Sequence, residues 1–169
     1  MGTVTPRLGS FEDRYAASIF GWARSSEELD AWASLAAGSP DVFRRWHAEA
    51  SVHPFVLFVD GTASGYGEVW EDVEEDEAEI ARVIVEPRSR GRGLGKELVT
   101  LLAQQARDLG YDDIWVRVLP TNGAAIACYG SAGFVRIDPA EEAVFNEGQP
   151  RPYVWMRSES VEGRSETPP

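Results

Sequence analysis

Apolar residues along this chain change rhythm repeatedly, from helical spacing to unbroken runs and back. Val4 to Leu8 reads as a short strand, which Pro6 confines to a sheet edge. Tyr15, Ile19 and Phe20 give the stretch from Phe11 to Trp22 a helical spacing. Ser25-Ser26-Glu27-Glu28 reads as the start of a second helix, with a capping serine and early acids. Leu29, Trp32 and Leu35 share its face, and Gly38-Ser39-Pro40 ends it. Asp41 is expected to cap a third helix carrying Val42, Phe43 and Trp46. Phe55 to Val59 is continuously apolar, so it predicts a strand buried on both faces. Asp60-Gly61 then predicts a hairpin turn into a strand from Ala63 to Trp70.

The second half continues the alternation. An acidic connection, Glu71 to Asp76, leads to a strand from Glu77 to Val85. Leu94, Leu98, Leu101, Leu102, Ala106 and Leu109 predict a helix over 93–109, closed by Gly110. Ile114 to Leu119 reads as a strand, Asn122 to Ser131 as a helix and Phe134 to Ile137 as a strand. Pro139 to Pro152 reads as a loop and Tyr153 to Met156 as a last strand. Residues 1–157 therefore form one expected α/β domain, and residues 158–169 a disordered polar tail.

Between strand and helix lies Arg90-Gly91-Arg92-Gly93-Leu94-Gly95-Lys96. A strand, a glycine loop and a helix in that order make an anion site. The first turn of the helix offers unpaired N–H groups at the positive end of its dipole. Glycine lets the backbone approach the anion, and Arg90, Arg92 and Lys96 add charge. A phosphate or pyrophosphate is the expected ligand. Two familiar loops do not fit. A Walker A loop needs glycine at 90 and Ser or Thr at 97, which are Arg90 and Glu97. A dinucleotide fingerprint needs glycine at 96, which is Lys96.

The loop does match Arg/Gln-x-x-Gly-x-Gly/Ala, the acyl-CoA pyrophosphate loop of the GNAT superfamily of N-acetyltransferases. Asn122, Ala125, Tyr129, Gly133 and Phe134 match that family's Asn-x-x-Ala-x-x-x-Tyr-x-x-x-Gly-Phe helix, and Ala78-Glu79-Ile80 heads the strand before the loop. The chain thus resembles a GNAT acyl-CoA-dependent N-acetyltransferase, specifically over about residues 54–136. The resemblance implies a single mixed, mostly antiparallel sheet of six to seven strands, flanked by helices and splayed in the middle to hold acetyl-CoA. It also implies that Val83, Ile84 and Val85 pair with the pantetheine arm, with a backbone N–H near Val83 for the thioester oxygen. The amides of Gly91, Arg92, Gly93, Leu94, Gly95 and Lys96 would hold the pyrophosphate. Asn122 would cap its helix and touch the cofactor arm.

Acetyl transfer to an amine needs a free amine, a stabilised oxyanion and a proton for the leaving thiolate. Glu79 is the candidate base. Four residues before Val83, it is expected on the same side of the strand, about 13 Å away. A solvated carboxylate at the end of an acidic run is its competing role, and Glu68 is a rival base. Tyr129 is the candidate acid by resemblance, with packing on Phe134 as the alternative. Arg82, charged in mid-strand, is expected to pair with a nearby acid. Cys128 is read as packing, and Trp22, Trp32 and Trp46 as packing for the helices over the acceptor side.

Bulk properties narrow the partners. With 169 residues, 43% apolar content and six tryptophans, the chain can build a full core. One cysteine and two histidines offer no metal cluster, and no apolar run is long enough for a bilayer. A cytoplasmic location is the expectation. A net charge of −12 disfavours nucleic acid and attracts cations. Seven acids between Glu71 and Glu79 read as a solvated loop or as a field for a cationic amine. The expected acceptor is a small-molecule or peptidic amine, and the resemblance suggests a homodimer through the last strands. A non-catalytic acyl-CoA-binding domain is the alternative function.

Overall fold

The computed structural model describes residues 5–159. Seven strands form one sheet: β1 (Arg7–Ser10), β2 (Val52–Val59), β3 (Thr62–Asp72), β4 (Glu77–Val85), β5 (Asp113–Val118), β6 (Phe134–Arg136) and β7 (Val154–Ser158). Their order is β1-β2-β3-β4-β5-β7-β6, and every neighbouring pair is antiparallel except β4 with β5. The expected mixed, mostly antiparallel α/β sheet is therefore present.

Each face of the sheet carries its own core. On one side lies α4 (Leu94–Asp108), whose Leu98, Val99, Leu102, Ala103 and Ala106 pack on Leu57, Val69, Ile80, Ile114 and Val116. Tyr129 and Cys128 of α5 (Gly123–Ser131) join that cluster. On the other side, α1 (Ala16–Phe20), α2 (Ser26–Ala33) and α3 (Val42–Trp46) bring Ile19, Trp32, Val42 and Phe43, with Trp22 from the turn after α1, onto Val56, Phe58, Tyr66 and Ile84. Gly110, at φ +105°, ends α4: its N–H bonds Arg107 and the next N–H, of Tyr111, bonds Ala106. Those two bonds are a Schellman stop.

Two features open the sheet. First, β4 and β5 share only three residue pairs, Glu77 with Asp113, Ala78 with Ile114 and Glu79 with Trp115, and then part. Beyond them the outer edge of β4 has no strand neighbour, while β5 goes on pairing with β7. Second, β4 bulges. Glu68 pairs with Ala81 and Tyr66 with Ile84, so Arg82 and Val83 both face Gly67. Arg82 takes a left-handed φ of +48°. Its carbonyl accepts from Trp32 Nε1 at 2.8 Å, and its guanidinium lies 3.8 Å from the centre of the Trp46 ring. The extra residue reverses the strand's alternation. Ile80 lies in the α4-side core and Ile84 in the opposite one.

This bulge corrects the expectation that Glu79 and Val83 face the same way. Glu79 pairs with Trp70, on the Tyr66–Glu68–Trp70 face, whereas Val83 packs into the α4-side core. Other differences are local. Phe11 to Trp22 is a 3-10 turn, Asp13–Tyr15, followed by the short α1. Ser25 caps α2 by accepting from the Glu28 N–H, but Asp41 makes no side-chain cap. Glu71 and Asp72 extend β3 rather than starting a loop. Pro139 to Phe145 forms a helix, α6, inside the segment expected to be loop. Asp138 caps it, and its Glu142 binds Arg136 and the Trp155 N–H. The edge strand starts at Arg7, and Val4 lies outside the described residues. Ser158 belongs to β7, and residues 160–169 of the expected tail also lie outside them.

Gly67 has a steric reason to be glycine. A Cβ there would lie 2.5 Å from Leu102 Cδ1 and 3.4 Å from Val83 Cγ2. Gly67→Ala should destabilise the protein by about 1–3 kcal/mol, the usual cost of overpacking, as measured by chemical denaturation.

Candidate functional site

The parted ends of β4 and β5 open into a cleft of about 1270 Å³. Its walls are the outer edge of β4, the end of β5, the start of α4, one face of α5, helix α2 and the segment Gln149–Tyr153. The expected cofactor-side residues Val83, Ile84, Val85, Arg90, Gly91, Gly93, Leu94, Gly95, Lys96 and Asn122 all line it. Arg92 does not, and it is exposed.

The loop end of the cleft suits an anion. Gly91 and Gly93 sit at φ +75° and +79°, a region where other residues are strained. A Cβ at either would meet nothing within 4 Å, so backbone angle, not crowding, calls for glycine there. The first backbone bond of α4 runs from the Glu97 N–H to the Gly93 oxygen. The Leu94, Gly95 and Lys96 amides therefore have no helical acceptor. Gly95 has another reason: its Cβ would come 3.0 Å from Cys128 Sγ, where α4 crosses α5. Cys128 thus packs the helices together, and burial pushes its thiol up. The side chain of Arg90 braces the loop. Its Nε donates to the Val85 oxygen at 3.0 Å, its Nη2 to the Trp22 oxygen at 3.0 Å, and Glu28 lies 3.4 Å away. Lys96, exposed at the start of α4, carries the remaining charge on this wall. Asn122 caps α5, accepting from the Ala125 N–H at 3.2 Å.

At the other end two carboxylates have opposite environments. Glu68 is fully buried and does not line the cleft. It accepts from Tyr66 Oη, from Trp70 Nε1 at 2.6 Å and from Arg82 Nη1 at 2.8 Å, with His47 Nε2 3.7 Å away. Burial alone would raise its pKa, but His47, Arg82, Tyr66 and Trp70 together hold it below the ordinary value. The oxygens of Glu68, the rival base, are thus held by these partners away from the cleft, and Arg82 pairs with an acid as expected.

Glu79 lines the cleft, with 20% of its side chain exposed. Its one ion-pair partner among the described residues is Arg117, at 2.8 Å. Burial pushes its carboxyl up to about 7, with Arg117 opposing the rise. A carboxylate with a pKa near neutrality can both take and release a proton. Tyr129 lies on the α5 wall, and its hydroxyl makes no hydrogen bond among the described residues. Burial first, then Cys128 and Glu79, push its phenol above the ordinary range. It stays protonated at neutral pH.

Sequence reasoning missed the rest of this end: Trp70, Arg117, Gln149, Arg151 and Tyr153. Arg117 carried a signal, a charge inside the apolar run Ile114-Trp115-Val116-Arg117-Val118. Of the two readings of the acidic run, the structure favours the one without a direct part in the cleft. Residues 71–77 lie outside the cleft lining, and Glu71 is held by His53 and by Tyr111 Oη. Trp32 lines the site, while Trp22 and Trp46 do not. Among the described residues no group of three His, Cys, Asp or Glu side chains could hold a metal. No helix there is long and apolar enough to cross a membrane.

The model of the acetyltransferase (GNAT) family matches residues 16–134. The chain belongs to that family. Its relatives include the [ribosomal protein bS18]-alanine N-acetyltransferase of Salmonella typhimurium, 39% identical over 59 residues, which are 35% of this chain and 40% of that protein's length. The aminoglycoside N(6')-acetyltransferase type 1 of Klebsiella pneumoniae is 28% identical over 152 residues, 79% of this chain and 75% of its own length. The GNAT fold is shared with solved structures. One is AAC(6')-Ib in complex with paromomycin and acetyl-CoA, with a TM-score of 0.74 and 22% identity, covering 96% of this chain and 99% of that one. Another is the spermidine N-acetyltransferase of Vibrio cholerae in complex with CoA and spermine, with a TM-score of 0.69 and 18% identity, covering 90% and 92%.

Glu79 should leave a mark on stability. Its folded pKa lies above its unfolded one, so the folded state binds the extra proton. Stability from this group is full below about 4.5 and falls as pH rises through about 7. Between pH 6 and 8 it should cost about 1 kcal/mol. Denaturation at the two pH values should show this drop in the wild type, and Glu79→Gln should lack it.

Proposed function

We propose that this protein is an N-acetyltransferase that moves the acetyl group of acetyl-CoA to a primary amine by direct attack. One observation carries the reading. A loop of open amides, the outer edge of β4, Glu79 and Tyr129 all line one cleft. The pyrophosphate suits the amides of Gly91 to Lys96, and the pantetheine arm suits the edge of Val83 to Val85, which has no strand partner beyond β3. The amide of Val83 sits on the bulge, where the ladder to β3 is interrupted. It is the donor proposed for the thioester oxygen.

The protons balance once Glu79 returns its proton to solvent after each turnover. Glu79 takes one proton from the acceptor ammonium, directly or through a water. The freed lone pair attacks the thioester carbon, and the negative charge gathers on the oxygen that faces Val83. The carbon–sulfur bond breaks, and Tyr129 gives its proton to the departing thiolate. The proton lost by the new amide nitrogen returns the tyrosine to its starting state. No covalent acetyl-enzyme is needed, and the thiol of Cys128, which burial pushes up, is left in its unreactive protonated form.

The acceptors named for the relatives are an alanine of a ribosomal protein, aminoglycosides and spermidine, and all present an amine. We extend to this chain only the amine, on a small molecule or a peptide. The net charge of −12 draws a cationic acceptor from solution. The test is thiol release from acetyl-CoA with polyamines, aminoglycosides, amino acids and short peptides, beside the thermal shift caused by CoA alone. Release with one amine class supports the reading and names the acceptor. Absence of both shift and release overturns it. With an active acceptor in hand, Tyr129→Phe should lower kcat about 100-fold or more, the usual worth of a general acid. Its acetyl-CoA affinity should stay close to that of the wild type.

A further inference from the structure

Arg117 occupies an inner position of β5, two residues beyond Trp115, the residue paired with Glu79. Just there the two strands begin to part. Its Nε lies 2.8 Å from Glu79 Oε1, and its Nη1 donates to Gln149 Oε1 at 3.1 Å. Three rings surround the guanidinium: Trp70 at 5.8 Å, Tyr153 at 5.4 Å and Trp155 at 5.6 Å. The rings and a neutral amide fix the cation without offering it a second carboxylate. Its charge is therefore left to Glu79.

We propose that Arg117 is a positioning residue, which clamps the Glu79 carboxylate across the seam between β4 and β5 and keeps it ionised near neutral pH. The inference rests on the reading of Glu79 as the proton acceptor. A carboxylate this far inside a cleft is pushed towards its neutral form, and a neutral acid cannot take the amine's proton. The other charges facing Glu79 do not serve. Glu77, on the same strand, opposes ionisation. Arg82 assists, but its guanidinium is committed to the buried Glu68 at 2.8 Å. From α5 comes only the neutral phenol of Tyr129. Arg117 is the one cation in ion-pair contact with Glu79 among the described residues. A lysine could supply the charge, but not the planar group that fits between rings and amide.

The test needs no acceptor. The side-chain carboxyls of protein labelled with 13C-glutamate are titrated by NMR, and the resonance missing from Glu79→Gln assigns the group. The wild-type midpoint should fall at about 7. Arg117→Met should raise it by about one pH unit or more, the usual effect of an opposite charge at this range. Arg117→Lys should keep it within about half a unit. A midpoint unmoved in Arg117→Met overturns the proposal. Arg117→Gln keeps a polar side chain and carries the same prediction if the methionine variant does not fold. Thiol release measured across pH separates the two claims. If Glu79→Gln turns over like the wild type while Arg117→Met still moves the midpoint, Glu79 is not the base but the coupling stands. If Glu79→Gln is inactive and the midpoint does not move, Glu79 is the base and Arg117 does not set its charge.

Discussion

The buried charge of Glu68 is the constraint around which the working part of the molecule is arranged. A carboxylate with no exposed surface is tolerated only when its lone pairs are taken. Tyr66, Trp70, Arg82 and the nearby His47 do this from β3, β4 and α3's C-terminal end. Arg82 reaches Glu68 from a left-handed backbone, and that backbone is part of the bulge. Trp32 of α2 bonds the Arg82 carbonyl, so the helix over the cleft is tied to the same residue. One internal ion pair thus links the strand edge, the bulge and the α2 wall of the cleft. Such a pair adds little to net stability, because desolvation offsets its attraction. What it fixes is shape.

Glu79 shows what the same residue does with fewer partners. Glu68 and Glu79 lie on one face of adjacent strands, both near Arg82 and Trp70. Hydrogen bonds hold one below the ordinary carboxylate range, and burial raises the other to about 7. The two environments set the same side chain to opposite ends of its titration range.

The parts legible in the sequence were those whose cause is local. Gly91 and Gly93 advertise their left-handed backbone by being glycine, and Ser25 and Asn122 sit directly before the amides they cap. The strand and helix order followed from periodicity for the same reason. The parts that were not legible depend on residues far apart in the chain. Glu79 and Arg117 meet only because β4 and β5 run parallel side by side. Gly67 looks free until Leu102 of α4 is placed 2.5 Å from its missing Cβ, and the bulge opposite it reverses a strand that period two treats as regular. Helix α6 is a different failure. Asp138, Pro139, Glu141 and Glu142 spell a capped helix start, but the prolines and glycine farther on read as loop.

The three residue pairs between β4 and β5 make this sheet two panels with a narrow common border. A molecule lying along the bare edge of β4 and reaching α5 would add the rungs that the border lacks. A co-substrate bound there would double as a structural member, and the frame would be stiffest while loaded. Departure of the spent carrier would return the panels to their short seam, so the slackness of the frame would rise and fall once in every turnover.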